Sequence, residues 1–132
     1  MEIFRILKPK QKKQFVSEID FSTNRGRQSH LAIETLVRLR EVNVEEEDEL
    51  KIDYIFFTDT FEKAQSLTKA LQNLGYIVDG KMSASDKKVH TIKGQTTHIR
   101  MMHEVLRKWA IEMCELGYEY DCNFEEWEIT TT

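Results

Sequence analysis

Residues that could carry chemistry are few in this sequence, and their spacing forms no catalytic or metal-binding motif. The four histidines are His30, His90, His98 and His103. None belongs to an HExxH motif or to a Cys/His cluster with zinc spacing, and no GxSxG motif or glycine-rich phosphate loop occurs. The sequence therefore predicts a protein that is not an enzyme and that needs no metal or other cofactor.

The two thiols and the carboxylates Asp79 and Asp86 are predicted to have structural and not catalytic roles. Cys114 and Cys122 are too far apart for a CxxC pair, and Cys122 is predicted to be a small buried hydrophobe. Asp79 and Asp86 flank a predicted hairpin and suit turns better than a catalytic pair.

With no signal peptide and no apolar run of about 20 residues, we expect a cytoplasmic protein with reduced thiols and no membrane segment.

Charge is distributed unevenly along the chain. Residues 1–40 contain nine Lys or Arg against four Asp or Glu, whereas residues 41–132 contain ten against nineteen. An acidic surface repels the phosphate backbone, so we expect a protein partner and no direct binding to nucleic acid. The alternative is that the acids only keep the domain in solution.

Two acidic stretches are the candidates for a partner-binding surface. One is the run EEEDE, and the other lies in GYEYDCNFEEWEI, from Gly117 to Ile129, where acids alternate with aromatics. In one interpretation the aromatics complete the core and the acids face solvent. In the other, the acids and an exposed aromatic anchor hold a protein, because Trp and Tyr are frequent interface anchors. The candidate residues are Glu45, Glu46, Glu47, Asp48, Glu49, Tyr120, Asp121, Glu125, Glu126, Trp127 and Glu128.

Hydrophobic spacing predicts the elements that carry these residues. We expect helices over residues 26–43, 59–75 and 97–116, with Gly117 just after the last one. We expect strands over residues 51–58, 76–84, 87–97 and 118–124, with a turn at 83–86.

The predicted order after residue 50 is β-α-β-β-α-β, which is typical of a ferredoxin-like α+β fold with one four-stranded antiparallel sheet. The helix over residues 26–43 is additional. We expect residues 1–25 to be an N-terminal extension and residues 26–132 to be a single domain. Ferredoxin-like sheets also bind RNA on exposed aromatics, and Tyr54, Phe56 and Tyr120 resemble such a platform. No RNP1-type motif occurs, however, and the acidic balance after residue 40 opposes RNA, so direct RNA binding is not expected.

Several motifs together carry a family resemblance. The strand DYIFFTD, the helix end LGY and the closing stretch GYEYD follow one another in the order seen in the RraB family, regulators of ribonuclease E activity. Gly117, Tyr120 and Asp121 match the family's closing motif, while Cys122 stands where the family has Gly and the Trp is displaced to Trp127. The chain resembles this family over about residues 27–129.

The resemblance implies a bacterial protein that binds a ribonuclease of the E/G type and inhibits it without acting on RNA itself. An alternative from a different class is an interaction or immunity-like module that binds another protein. Monomer and dimer are both compatible with the sequence.

Overall fold

The computed structural model describes residues 14–79 and 89–131, and it confirms the predicted α+β class. Three helices accompany two antiparallel sheets. The elements in chain order are α1 (Glu18–Glu41), β1 (Glu49–Leu50), β2 (Ile52–Thr58), α2 (Phe61–Asn73), β3 (Ile77–Val78), β4 (His90–Gln95), β5 (Ile99–Arg100), α3 (His103–Glu119) and β6 (Asn123–Ile129).

The main sheet has four strands in the order β3-β4-β2-β6, and every neighbouring pair is antiparallel. β1 and β5 pair with each other in a separate two-stranded sheet. The chain order therefore differs from the predicted one, because two short strands are added. β2 is central in the main sheet, as its apolar sequence indicated.

The first helix begins earlier than predicted. Ser17 caps α1 by accepting a hydrogen bond from the Asp20 amide at 3.0 Å, so the helix starts at Glu18. Its first turns thus occupy part of the segment predicted to be an extension. The start of α3 is wrong in the opposite direction: α3 begins at His103, later than the predicted Thr97, because Ile99 and Arg100 pair with β1.

The predicted strand over residues 118–124 is wrong. Tyr118 and Glu119 continue α3, and the reversal comes at Asp121, whose φ of 60° ends the helix. The Cys122 amide bonds the Gly117 carbonyl at 2.7 Å and the Asp121 amide bonds the Tyr118 carbonyl at 3.0 Å, which is a Schellman motif. The last strand therefore begins only at Asn123. The predicted turn at 83–86 lies outside the described residues.

The core lies between one face of the main sheet and the helices. Ile52, Tyr54 and Phe56 alternate along β2, and all three are fully buried beneath the helices. Tyr54 and Phe56, two of the three aromatics weighed for an RNA-stacking platform, form the core and are closed to a base.

Gly117 lies inside α3 because the helix touches the sheet there. A Cβ at this position would lie 2.7 Å from the Cys122 carbonyl oxygen and 2.9 Å from the Phe56 ring. The helix tolerates a glycine at this point since no other residue allows so close an approach. Gly26, in α1, provides the contrast, as nothing lies within 4 Å of a Cβ built on it.

Replacing these two glycines by alanine is expected to change stability in opposite directions. Gly117→Ala should lower the free energy of unfolding by about 1–3 kcal/mol, because the methyl group collides with backbone and ring. Gly26→Ala should raise it by up to about 1 kcal/mol through helix propensity. Urea unfolding followed by circular dichroism measures both, and equal effects of the two variants would contradict the close approach.

Candidate protein-binding face

The face of the main sheet that points away from the core is partly exposed. Asp53, Ile55 and Phe57 alternate with the buried residues of β2 and are only half-buried. Their cross-strand neighbours are partly or fully exposed as well. We call this surface the open sheet face; it is formed by Asp53, Ile55, Phe57, Thr91, Lys93, Gln95, Asn123, Glu126 and Glu128.

Acidic side chains collect on one side of the open sheet face. Glu126 lies opposite Ile55, and Glu128 lies directly opposite Asp53 in the β2–β6 register. The Gln95 amide donates to the Asp53 Oδ1 at 2.9 Å from the other neighbouring strand. Like charges directly opposite each other on a sheet destabilise it, so the Asp53–Glu128 pair has a folding cost.

Sequence reasoning missed Asp53, although the signal was present. Asp53 occupies an outward position between Ile52 and Tyr54, in a strand that is otherwise apolar. A carboxylate in the middle of a central strand indicates that this face is not covered by the core. Only the register places it opposite Glu128.

A bulge in β6 determines which side chains of the acidic stretch face inward. The register shifts at the Ile55/Phe56 junction of β2, so that Phe124 and Trp127, three residues apart, both point into the core. Trp127 packs edge-to-face on Trp109 with ring centroids 5.4 Å apart and is only 8% exposed. The prediction of Trp127 as an exposed anchor is therefore wrong, because its ring completes the core.

Helix α1 covers the edge of β6 with buried polar side chains. The Asn24 amide donates to the Phe124 carbonyl at 2.9 Å. Gln28, which is fully buried, accepts from the Trp127 indole N–H at 2.8 Å and donates to the Glu125 carbonyl at 3.5 Å. These contacts satisfy two backbone carbonyls at the start of β6, groups of the kind that an edge strand leaves open to another strand.

Asp121 is occupied by contacts within the chain. Its carboxylate accepts from the amides of Phe15 and Val16 at 2.7 and 2.8 Å and from the Lys63 ammonium at 2.6 Å. Its carbonyl accepts from the Thr58 hydroxyl at 2.9 Å. The residue predicted to contact a partner thus links the segment before α1, the end of β2 and α2.

Lys63 is held between two carboxylates. Desolvation lowers its pKa, but hydrogen bonds to Asp121 and Asp59 outweigh that effect and raise the pKa above the ordinary value of 10.5. The stability that this contact contributes is therefore fully present below about pH 10.5 and is lost as the pH rises through the raised pKa.

The acidic run Glu45–Glu49 forms a separate exposed turn. The Glu45 amide donates to the Asp48 carboxylate at 2.7 Å, and the Met101 amide donates to the Asp48 carbonyl at 2.9 Å. Glu49 belongs to β1, which pairs with β5 outside the main sheet. The two acidic stretches thus lie on different sheets. Tyr120, also predicted to contact a partner, is the C-cap of α3 and is half-buried.

Both thiols are buried and free. Burial raises the pKa of Cys114 and of Cys122 to about 12. Cys122 thus behaves as a small hydrophobe, as predicted, although it lies in the turn after α3 and not on a strand.

Across residues 14–79 and 89–131, no group of three or more His, Cys, Asp or Glu residues is arranged to hold a metal ion. In the same part of the chain, no helix has the length and apolar character that crossing a membrane requires.

Fold and surface together define a small α+β protein with a closed core, an acidic sheet face and a covered sheet edge. Residues 31–129 match the protein family described as regulator of ribonuclease activity B, and the chain belongs to that family. The match covers both sheets, α2, α3 and the C-terminal part of α1, from Leu31 to Glu41. A search among curated proteins finds no match.

We expect both cysteines to resist thiol reagents in the folded protein. At pH 8 the thiolate fraction is very small at a pKa of about 12, and both side chains are buried. Ellman's reagent should release no colour on the minute scale without denaturant and two equivalents in 6 M guanidinium, the thiol content of the sequence. Rapid reaction of the native protein would contradict the burial of both thiols.

Replacing Asp121 should destabilise the fold. We expect Asp121→Ala to lower the free energy of unfolding by at least about 2 kcal/mol, because two amides and one ammonium lose their acceptor. The matched control is Glu119→Ala, an exposed acid two residues earlier. Urea unfolding at pH 7 measures the difference. An unchanged midpoint for Asp121→Ala would contradict the linking role of this carboxylate.

Proposed function

We propose that this protein is a non-enzymatic regulator that binds a ribonuclease of the E/G type and slows its cleavage of RNA. The observation that carries the proposal is the family match over residues 31–129. The protein acts in the cytoplasm, where such a nuclease meets its RNA, and two free thiols suit that compartment.

Surface charge supports a protein partner over RNA. The open sheet face carries Asp53, Glu126 and Glu128, which repel phosphate, and its half-buried Ile55 and Phe57 suit a protein contact. A nuclease that binds RNA must itself carry basic segments, and acidic groups attract such segments over a Debye length of about 10 Å at 0.1 M salt. Inhibition then follows because the regulator and RNA compete for basic surface.

Both acidic stretches are candidates for the contact with the nuclease. Glu45, Glu46, Glu47, Glu126 and Glu128 are exposed and available. Asp48 and Asp121 each hold amides of the chain itself, so we assign them a structural part in presenting the surface. Glu125 and Tyr120 are half-buried.

The scaffold is proposed to be a ferredoxin-like domain within residues 26–132. Two features support this assignment. The main sheet is antiparallel with order β3-β4-β2-β6, and α2 and α3 each connect two of its strands. In this arrangement the helices cover one sheet face and leave the other to a partner.

Purified protein is expected to form a near-stoichiometric complex with the ribonuclease E-type enzyme of the same organism. In the presence of an excess of the protein, cleavage of a fluorogenic RNA should slow at least about fivefold. The complex should weaken steadily between 50 and 500 mM KCl, because charged groups contribute to it. Calorimetry and a cleavage assay at each salt concentration measure these effects.

Two controls accompany this experiment. A ribonuclease of unrelated fold should be unaffected, and the protein alone should not retard the RNA in a gel. Retention of a different protein from nuclease-treated lysate, with no ribonuclease of the E/G type, would contradict the proposal and favour the interaction or immunity-like module.

A further inference from the structure

We propose that the open sheet face is the docking surface, and that its occupant is a basic amphipathic helix of the protein partner. This inference rests on the proposed function, since it names the site and the kind of segment through which the regulator holds its nuclease. It adds Asp53, Ile55 and Phe57 to the contact and removes the turn at Glu45–Glu49 from it.

An apolar strip runs along the centre of this face. Ile55 and Phe57 are two residues apart on β2 and lie on the same side of the sheet, about 7 Å from each other along the strand. Two shallow hollows of about 330 and 260 Å³ meet at Asp53 and Ile55. Such a strip can receive the apolar stripe of a helix, whose side chains at i and i+4 are separated by a similar distance.

A row of carboxylates runs beside the strip. Glu126 and Glu128 are exposed on β6, and Asp53 lies opposite Glu128. On the β4 side, Lys93 faces Ile55. The carboxylate row complements a helix that carries Arg or Lys beside its apolar stripe, and it fixes which side of that helix faces β6.

The geometry favours a helix over an added strand. A strand would need a free sheet edge, but at the β6 edge Asn24 and Gln28 of α1 already bond the Phe124 and Glu125 carbonyls. The opposite edge is β3, which spans two of the described residues. A helix on the open face, by contrast, gives the sheet a second helical layer opposite α2 and α3.

The Asp53–Glu128 pair is an independent sign that this face serves binding. Two carboxylates directly opposite each other weaken the sheet, and a cationic partner turns that repulsion into attraction. A residue that lowers stability while it improves binding is expected at a functional site.

The test compares two double variants with the same change in charge. Glu126→Lys/Glu128→Lys alters the open sheet face, and Glu46→Lys/Glu47→Lys alters the exposed turn. The probes are the ribonuclease and a synthetic peptide of about 16 residues with Leu on one helical face and Arg beside it. A scrambled peptide of equal charge is the peptide control. A third variant, Ile55→Thr, tests the apolar strip while keeping a β-branched residue in the strand.

The face variant is expected to bind the nuclease and the peptide at least about tenfold more weakly. The turn variant should stay within about threefold of the unaltered protein, and Ile55→Thr should weaken both complexes. Amide NMR shifts caused by the peptide should centre on β2 and β6 and should be absent with the scrambled peptide. The single variant Glu128→Lys should raise the melting temperature by roughly 1–4 °C, which separates lost binding from lost folding.

Failure of this inference is distinguishable from failure of the proposed function. If the turn variant loses the nuclease while the face variant keeps it, the docking face is wrong and the regulator function stands. If the peptide binds the face as expected but the nuclease does not bind at all, the docking face stands and the proposed function is wrong.

Evidence that either of two other occupants covers the open sheet face would overturn the inference. Shifts on β2 and β6 that grow with protein concentration, without peptide, would indicate a second copy of this chain. A face variant that melts lower at low salt, instead of higher, would indicate that the acids hold the chain's own residues 1–13, which include five Lys or Arg.

Discussion

The turn from α3 into β6 is the constraint on which the rest of the structure depends. Gly117 lets the helix touch the Phe56 ring, and the Cys122 amide closes the Schellman motif on the Gly117 carbonyl. Asp121, at φ 60°, then binds the segment before α1, Thr58 of β2 and Lys63 of α2. This one turn therefore places the start of β6, and its Asp121 carboxylate connects it to the segment before α1 and to α2.

Polar side chains of α1 bond the edge of β6. Gln28 is fully buried, yet its amide oxygen and nitrogen are both bonded, so it carries no penalty for an unpaired group. Asn24 and Gln28 bond the Phe124 and Glu125 carbonyls, so α1 hinders strand addition at the start of β6. The face of the sheet that points away from the core stays partly exposed, with acids beside an apolar strip.

Much of the fold could be predicted because it follows from local pattern. Apolar residues on both faces of β2 predicted a central strand with cover on both sides; the central position is confirmed, but Ile55 and Phe57 on the second face are only half-buried. Helical spacing predicted α2 within two residues at each end. Gly75, in the helix end LGY, closes α2 in the left-handed conformation at φ 87°. The family was also visible in sequence, since Gly117, Tyr120 and Asp121 lie in the region that the family match covers.

The sequence by itself determined the α+β class, the central strand, the family and the acidic character of the second half. Only the tertiary structure decided the last strand and the candidate site. An alternating stretch such as YEYDCNF is typical of a strand. In the structure, the close approach of Gly117 to Phe56 lets α3 continue, and Asp121 adopts the left-handed conformation that ends the helix. The register and the bulge of β6 then bury Trp127 and place Asp53 opposite Glu128. No local pattern predicts this pairing, because the two residues are far apart in the sequence and meet only when the strands pair.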